Sequence, residues 1–258
     1  MDVEKFRTAV DEGDILGALI TLEGLDSSDL DSHWTQLDLA TLLHHAVKQD
    51  CRPVVLELIG RGASVNTIDG RDSTPLRSSV LSDQIEMMRT LLKAGAMVNQ
   101  SNSLGITALH KAALYGCNEM MHILLDAKAD ANARADDKRT ALHYACNQGH
   151  VNTVKILLEA GAMTDKVTCH GSTPLHTALE SQYDPTDIVK QLITARAPLD
   201  VKDEKGNTPL HIACKTGNSS ALRMLVEAGA DVSIVDKDGL TPLEIARMAG
   251  YVDCIKIF

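Results

Sequence analysis

Apolar residues fall along this chain in short clusters, three and four positions apart, bounded by polar segments that carry glycine. Val151, Val154, Leu157 and Leu158 show the spacing, which places one apolar stripe on a short helix. A second apolar cluster, opened by Thr, precedes each such helix, and a turn separates the two. The pattern predicts pairs of short helices joined by brief turns, with a longer polar loop before the next pair.

The pairs recur with a fixed period. Thr-Pro-Leu-His or a close variant begins at Thr41, Thr74, Thr107, Thr140, Thr173, Thr208 and Thr241, at intervals of 33, 33, 33, 33, 35 and 33 residues. Five residues after the Thr stands Ala46, Ala112, Ala145, Ala178, Ala213 or Ala246, with Ser79 the exception. Nine residues after it stands Gly116, Gly149, Gly217 or Gly250. Paired aliphatics follow at Leu91-Leu92, Leu124-Leu125, Leu157-Leu158 and Leu225-Val226. Gly-Ala then closes the unit at Gly62-Ala63, Gly95-Ala96, Gly161-Ala162 and Gly229-Ala230.

Each position has a physical reading. Thr caps free N–H groups at a helix start, and Pro fits the first helical turn. The small Ala lets the neighbouring unit's helix approach. Gly ends each helix in the left-handed conformation. Lys128 and Arg196 replace the closing Gly in two units, which predicts two strained turns. A single helix pair cannot bury its own apolar faces, so stability must come from stacking.

These phased positions resemble the ankyrin repeat, and the resemblance covers nearly the whole chain. It implies an all-α solenoid of helix–turn–helix units whose polar loops, such as Asn99 through Ile106, project as β-hairpin-like fingers. Eight units with packed helices 8–10 Å apart imply a curved rod about 70 Å long. The expected organisation is one domain over 1–258, with a degenerate N-terminal capping repeat at 1–36, six repeats over 37–236 and a truncated last repeat at 237–258. Phe6, Ala9, Gly13, Ile15 and Leu22 carry the phase of the degenerate unit. The segment from Gly24 to Leu37 adds four residues, with Asp26, Asp29 and Asp31 beside Trp34. The unit opened by Thr173 carries two extra residues, expected around Tyr183-Asp184-Pro185-Thr186 as a longer turn. The last unit stops seventeen residues after Thr241, inside its second helix. Weak cover is expected over Ile245, Ile255 and Phe258, so that either the natural protein continues or this end frays.

Composition narrows the function. An apolar fraction of 44% supports a sizeable core. Aromatics at 3% argue against a β-sandwich and against a stacking platform for single strands. A net charge of −10, with no run of Lys or Arg to supply a basic stripe, argues against a nucleic-acid partner. No stretch approaches the ~20 apolar residues of a membrane helix, so no membrane insertion is expected. The N-terminus lacks the basic start and apolar core of a signal peptide. Cys51, Cys117, Cys146, Cys169, Cys214 and Cys254 are scattered with no Cys-x-x-Cys, which reads as reduced thiols in the cytoplasm or nucleus.

Candidate chemistry is thin. His44, His110, His143, His176 and His211 share one repeat phase, so neighbouring rings stand about a repeat apart and cannot share a metal. The resemblance implies that they hydrogen-bond the loop backbone. His143 with Cys146, and His211 with Cys214, could be half zinc sites or activated thiols. The repeat phase of the two cysteines favours small core residues. Cys169 beside His170 on a loop could be a reactive thiol. Phosphate-loop, metalloprotease and nucleophile-elbow motifs are missing. No catalytic residue, metal or cofactor is expected.

Function is therefore expected on the surface. The resemblance implies binding on a concave side made by the fingers and the first helices. Arg71, Leu81, Leu104, Ile106, Leu114 and Tyr115 stand at such positions and form the candidate protein-binding set. Ile68 is apolar at an equivalent place, and Arg134, Asp136, Asp137, Arg139, Asn147 and Gln148 suit a polar rim. The segment Leu124 to Asn132 resembles the ankyrin stretch that asparaginyl hydroxylases modify, which makes Asn132 a hydroxylation candidate; the alternative is that Asn132 braces its finger. The expected function is that of a monomeric protein–protein interaction module, an adaptor, scaffold or inhibitor. Two alternatives stand: a substrate-recognition subunit of a multi-protein enzyme complex such as a ubiquitin ligase, and an enzyme in its own right.

Overall fold

The computed structural model describes residues 3–23, 36–81 and 84–258, which form helices and, among the described residues, no strand. The helices come in pairs: α1 (Val3–Asp11) with α2 (Ile15–Glu23), α3 (Gln36–Lys48) with α4 (Arg52–Gly60), α5 (Pro75–Leu81) with α6 (Ile85–Lys93), and α7 (Ala108–Tyr115) with α8 (Asn118–Asp126). They continue as α9 (Ala141–Asn147) with α10 (Val151–Glu159), α11 (Pro174–Leu179) with α12 (Thr186–Thr194), α13 (Pro209–Thr216) with α14 (Ser219–Glu227), and α15 (Pro242–Ala249) with α16 (Val252–Ile255). The acidic segment around Trp34 lies outside the described residues.

The helices fall into two compact units, Met1–Lys111 with His122–Ala129, and Ala112–Met121 with Asp130–Phe258. In the first unit α1, α3 and α5 pack side by side, and α2 packs on α4 behind them. In the second unit α9, α11, α13 and α15 form one layer and α10, α12, α14 and α16 the other. The layering follows from side-chain size. The Ala five residues after each Thr is fully buried at Ala46, Ala112, Ala145, Ala178, Ala213 and Ala246. A larger residue there would push two first helices apart. Ser79 takes the same buried place because its hydroxyl donates to the Leu76 carbonyl at 2.8 Å, which satisfies it. Leu142, Val154, Leu157, Leu175, Leu210 and Leu225 fill the space between the layers of the second unit. Ile245, expected to be poorly covered, is buried, whereas Ile255 and Phe258 keep part of their surface exposed.

The turns obey the repeat phase. Gly62, Gly95, Gly161 and Gly229 have φ between 83° and 91° after their second helices, and Lys128 and Arg196 adopt φ of 68° and 58° at the same place. These two carry the strain that their Cβ atoms bring to the left-handed region. In the unit opened by Thr173 the extra residues lengthen the turn between α11 and α12. Ser181 anchors that turn by donating to the Asn147 carbonyl at 2.7 Å, and the Asp184 carboxylate accepts from the Thr186 backbone and hydroxyl. Tyr183 lies over Gly149 so closely that a Cβ there would clash with it.

Within the second unit a recurring side chain ties one repeat to the next. The backbone N–H of Thr140 donates to His143 Nδ1 at 3.1 Å, while Nε2 of the same ring sits 3.2 Å from the Ser172 carbonyl of the following finger. His176 makes the same pair of contacts to Thr173 and Asn207, and His211 to Thr208 and Leu240. A ring whose Nδ1 accepts a backbone proton must be neutral. Burial pushes the His143 pKa down to about 4, and it lowers those of His176 and His211 as well. In the last unit Glu244 replaces the ring, and its carboxylate accepts from the Thr241 backbone and hydroxyl at 2.8 Å each.

Replacing Lys128 or Arg196 by Gly should stabilise the protein by about 0.5–1 kcal/mol, because relief of left-handed strain outweighs the added freedom of the unfolded chain. Gly161→Lys, in a place with open space around the Cβ, should cost a similar amount. Urea midpoints of the three variants check both signs. The buried histidines set a pH dependence. Below about pH 6.5 the unfolded chain takes up protons that the folded imidazoles refuse, so stability is full above that pH and is lost as pH falls toward 4. The urea midpoint should drop between about pH 7 and pH 5, and His143→Gln should show a shallower drop. An equal drop in the variant would remove His143 from this account.

Candidate functional site

The fingers of the first unit are built on short side-chain turns. Asp69 Oδ1 accepts the backbone N–H groups of Arg71 and Ser73 at 3.0 and 2.9 Å, and Asn102 Oδ1 accepts those of Leu104 and Ile106 at 3.2 and 2.8 Å. Each tip then turns through a left-handed residue, Asp72 with φ 57° and Gly105 with φ 71°. The Asp72 carboxylate locks the two fingers together, because its Oδ2 accepts both the Ser103 N–H at 2.9 Å and the Ser103 hydroxyl at 2.5 Å. These bonds hold the Asp72 pKa below its ordinary value. The result is that Arg71 is exposed and Leu104 is 60% exposed, while Ile106 is half-buried. Leu81 closes α5, and its side chain lies outside the described residues.

In the second unit Tyr115 ends α7 with 52% of its surface exposed, and Leu114 is half-buried. His150 Nε2 lies 3.1 Å from the Leu114 carbonyl and fixes this helix end. The polar positions beyond it are engaged. Arg139 pairs with Asp137 at 3.4 Å and lies 5.8 Å from the centre of the Tyr144 ring, and Arg134 Nη2 donates to the Val167 carbonyl at 2.6 Å. Each unit therefore presents part of the sequence-derived set: Arg71, Leu104 and Ile106 in the first, Leu114 and Tyr115 in the second.

Asn132 is held at both ends of its amide. Its Nδ2 donates to the Gly161 carbonyl at 3.3 Å and its Oδ1 accepts the Met163 N–H at 2.7 Å. Asn66 makes the same two bonds to Gly95 and Met97 in the first unit. This is a brace between consecutive loops at a repeating position. Cys146 and Cys214 are buried in the second unit, and burial raises both thiols, that of Cys214 to about 12. Cys169 is exposed, and the neighbouring His170 Nδ1 sits 3.0 Å from Glu204 Oε1.

Sequence reasoning missed a basic groove in the first unit. The chain has no run of Lys or Arg, yet folding collects Arg7 from α1, Lys48 from α3, Arg71 from the finger, Arg77 from α5 and Lys111 from α7 around one cavity of about 1020 Å³. The sequence indeed holds no run of Lys or Arg, but a run is not needed: four of the cations come from different first helices and the fifth, Arg71, from a finger. Arg77 is the anomaly. It stands where other repeats carry His, is 3% exposed, and donates from Nη1 to the Asp72 carbonyl at 2.6 Å. Its Nε is buried with no hydrogen-bond partner. Burial lowers its pKa; burial, and then the charge of Arg77, lower that of Lys111. The available signal was Thr74-Pro75-Leu76-Arg77, where a cation replaces the imidazole of the repeat.

Among the described residues no helix is long and apolar enough to cross a membrane. Ankyrin repeats (3 copies) match residues 43–135, 109–193 and 181–258. A segment of 46 residues is 50% identical to NF-kappa-B inhibitor alpha of Gallus gallus; it makes up 18% of this chain and only 14% of that protein. Among solved structures the chain is similar to the ankyrin repeat domain of Bcl-3, a unique member of the IkappaB protein family. The TM-score is 0.74 at 32% identity, over 83% of this chain and 97% of that one. With Thr caps, buried Ala seams and linking imidazoles recurring in phase, the chain belongs to the ankyrin-repeat family and is a protein–protein interaction module.

Proposed function

We propose that the chain is an inhibitor-type binding module without chemistry of its own, and that its protein partner is an NF-kappa-B protein. The observation that carries the reading is that each unit holds a large apolar or aromatic side chain out into solvent: Leu104 in the first, its backbone N–H bonded to Asn102, and Tyr115 in the second, next to the Leu114 carbonyl that faces His150. The likeness to NF-kappa-B inhibitor alpha and to the Bcl-3 domain supports the choice of partner. A monomer in the cytoplasm or nucleus fits six free cysteines, four of them buried. The alternatives of a ubiquitin-ligase recognition subunit and of an enzyme have no observation in their favour.

Binding of purified NF-kappa-B to the immobilised chain tests this. Burying a large apolar side chain contributes ~1.5–3 kcal/mol, so Tyr115→Ala and Leu104→Ala should each weaken binding roughly tenfold or more. Their melting temperatures should hardly move, because both side chains stand outside the core. Affinities within about twofold of the parent would put the binding surface elsewhere, and no binding by the parent chain would reject the partner.

A further inference from the structure

We propose that the basic groove of the first unit receives an acidic peptide segment of a protein partner, with one side-chain carboxylate entering between Arg77 and Lys111. The proposal rests on the reading of the chain as a protein-binding module and adds the chemistry of what it binds.

The geometry asks for an anion. Five cationic side chains line the cavity against two carboxylates, Asp11 and Asp69. Both carboxylates are already engaged. Asp11 Oδ1 accepts from Gln49 Nε2 at 2.6 Å and lies 3.0 Å from His45 Nε2, and Asp69 Oδ1 holds the finger turn. The Asp72 carboxylate, the other acid near Arg77, spends its Oδ2 on Ser103. The charges of Asp72 and Asp69 offset part of the burial of Arg77, but its Nη1 is spent on a carbonyl and its Nε is left without a hydrogen bond inside the protein. A buried arginine of this kind is costly until a carboxylate meets it, and the pairing is then among the stronger hydrogen bonds available. Lys111, on the neighbouring first helix, feels the charge of Arg77, and one shared carboxylate would relieve both.

The remaining features favour a peptide. Ile68 lines the same cavity and is 48% exposed, an apolar contact that suits a side chain next to the carboxylate. A cavity of about 1020 Å³ accommodates a few residues. A long polyanion such as nucleic acid would be repelled by a chain of net charge −10, whereas a short acidic segment meets only the local field.

Fluorescence anisotropy on the full chain, with a short labelled peptide of Glu interspersed with Leu and its Gln counterpart, tests the proposal. The Glu peptide should bind roughly tenfold or more tightly than the Gln peptide and should weaken as salt rises. Arg77→His restores the residue that other repeats use, so the fold should hold while binding of the Glu peptide falls several-fold. Lys111→Gln and Arg71→Gln should each weaken it as well, and they decide the matter if Arg77→His lowers the melting temperature. Lys190→Gln, an exposed cation of the second unit, should leave it unchanged. Equal binding of the two peptides, or groove variants that bind the Glu peptide as the parent does, would overturn the proposal. So would tighter binding of a single-stranded oligonucleotide of equal charge, which would make the groove a nucleic-acid site. No NF-kappa-B is present in this assay, so its failure leaves the reading of Leu104 and Tyr115 standing, and the reverse holds too.

Discussion

In three consecutive repeats of the second unit one imidazole holds a loop to the helix before it. His143, His176 and His211 each accept a proton from the Thr that opens their own helix and face a carbonyl of the next finger. Stacking of helices alone would bury the apolar faces but leave the long polar loops to settle independently. The imidazole removes much of that freedom, alongside loop braces such as Asn132, because its two nitrogens are fixed relative to each other and span two consecutive repeats. It also demands neutrality. A protonated ring would point a donor at the Thr N–H, so the position must be buried enough to keep the charge away.

That constraint explains why Arg77 matters. Arginine has no acceptor and cannot close the same bond to Thr74. Its Nη1 instead reaches back to the Asp72 carbonyl, within the finger that precedes its own helix. The first unit thus exchanges a neutral link for a cation at one repeat. It does so beside a finger that Asp72 already ties to the next one through Ser103. The fold tolerates the exchange because His44 still links to the Ser73 carbonyl from the preceding repeat, with Nε2 at 3.0 Å. A local departure from the repeat is in this way converted into a charged cavity without loss of the stack.

Much of the architecture was legible because the repeat states each requirement many times. The period located the helix starts, the Ala seam and the left-handed turns, and the two units with Lys128 and Arg196 showed the same backbone where Gly was missing. The longer turn before Thr186 was legible from the two surplus residues. The groove was not, because Arg7, Lys48, Arg77 and Lys111 come from four different first helices and only the fold gathers them beside Arg71. The exposure of individual surface residues was legible only in part. Leu104 and Ile106 sit two apart in one finger and looked alike in sequence. The Asn102 side chain bonds both backbones, yet one side chain points into solvent and the other is half-buried.

Repetition also divides the labour of the residues. Positions that stack or link, such as Ala145, Leu157 and His143, are buried and leave little room for change without loss of stability. Finger tips and the ends of first helices are free of that duty, since their backbones are fixed by Asp69, Asn102 or His150 whatever side chain they carry. Arg71, Leu104 and Tyr115 can therefore vary in chemistry while staying in place, which is the condition for building specificity on a common frame. Charge adds a second level of selection. A chain of net charge −10 disfavours acidic partners in general, so a cationic groove within it admits only those whose acidic residues arrive at one place and in a short stretch. Discrimination then comes from the contrast between the field of the whole chain and that of the groove, and neither alone would supply it.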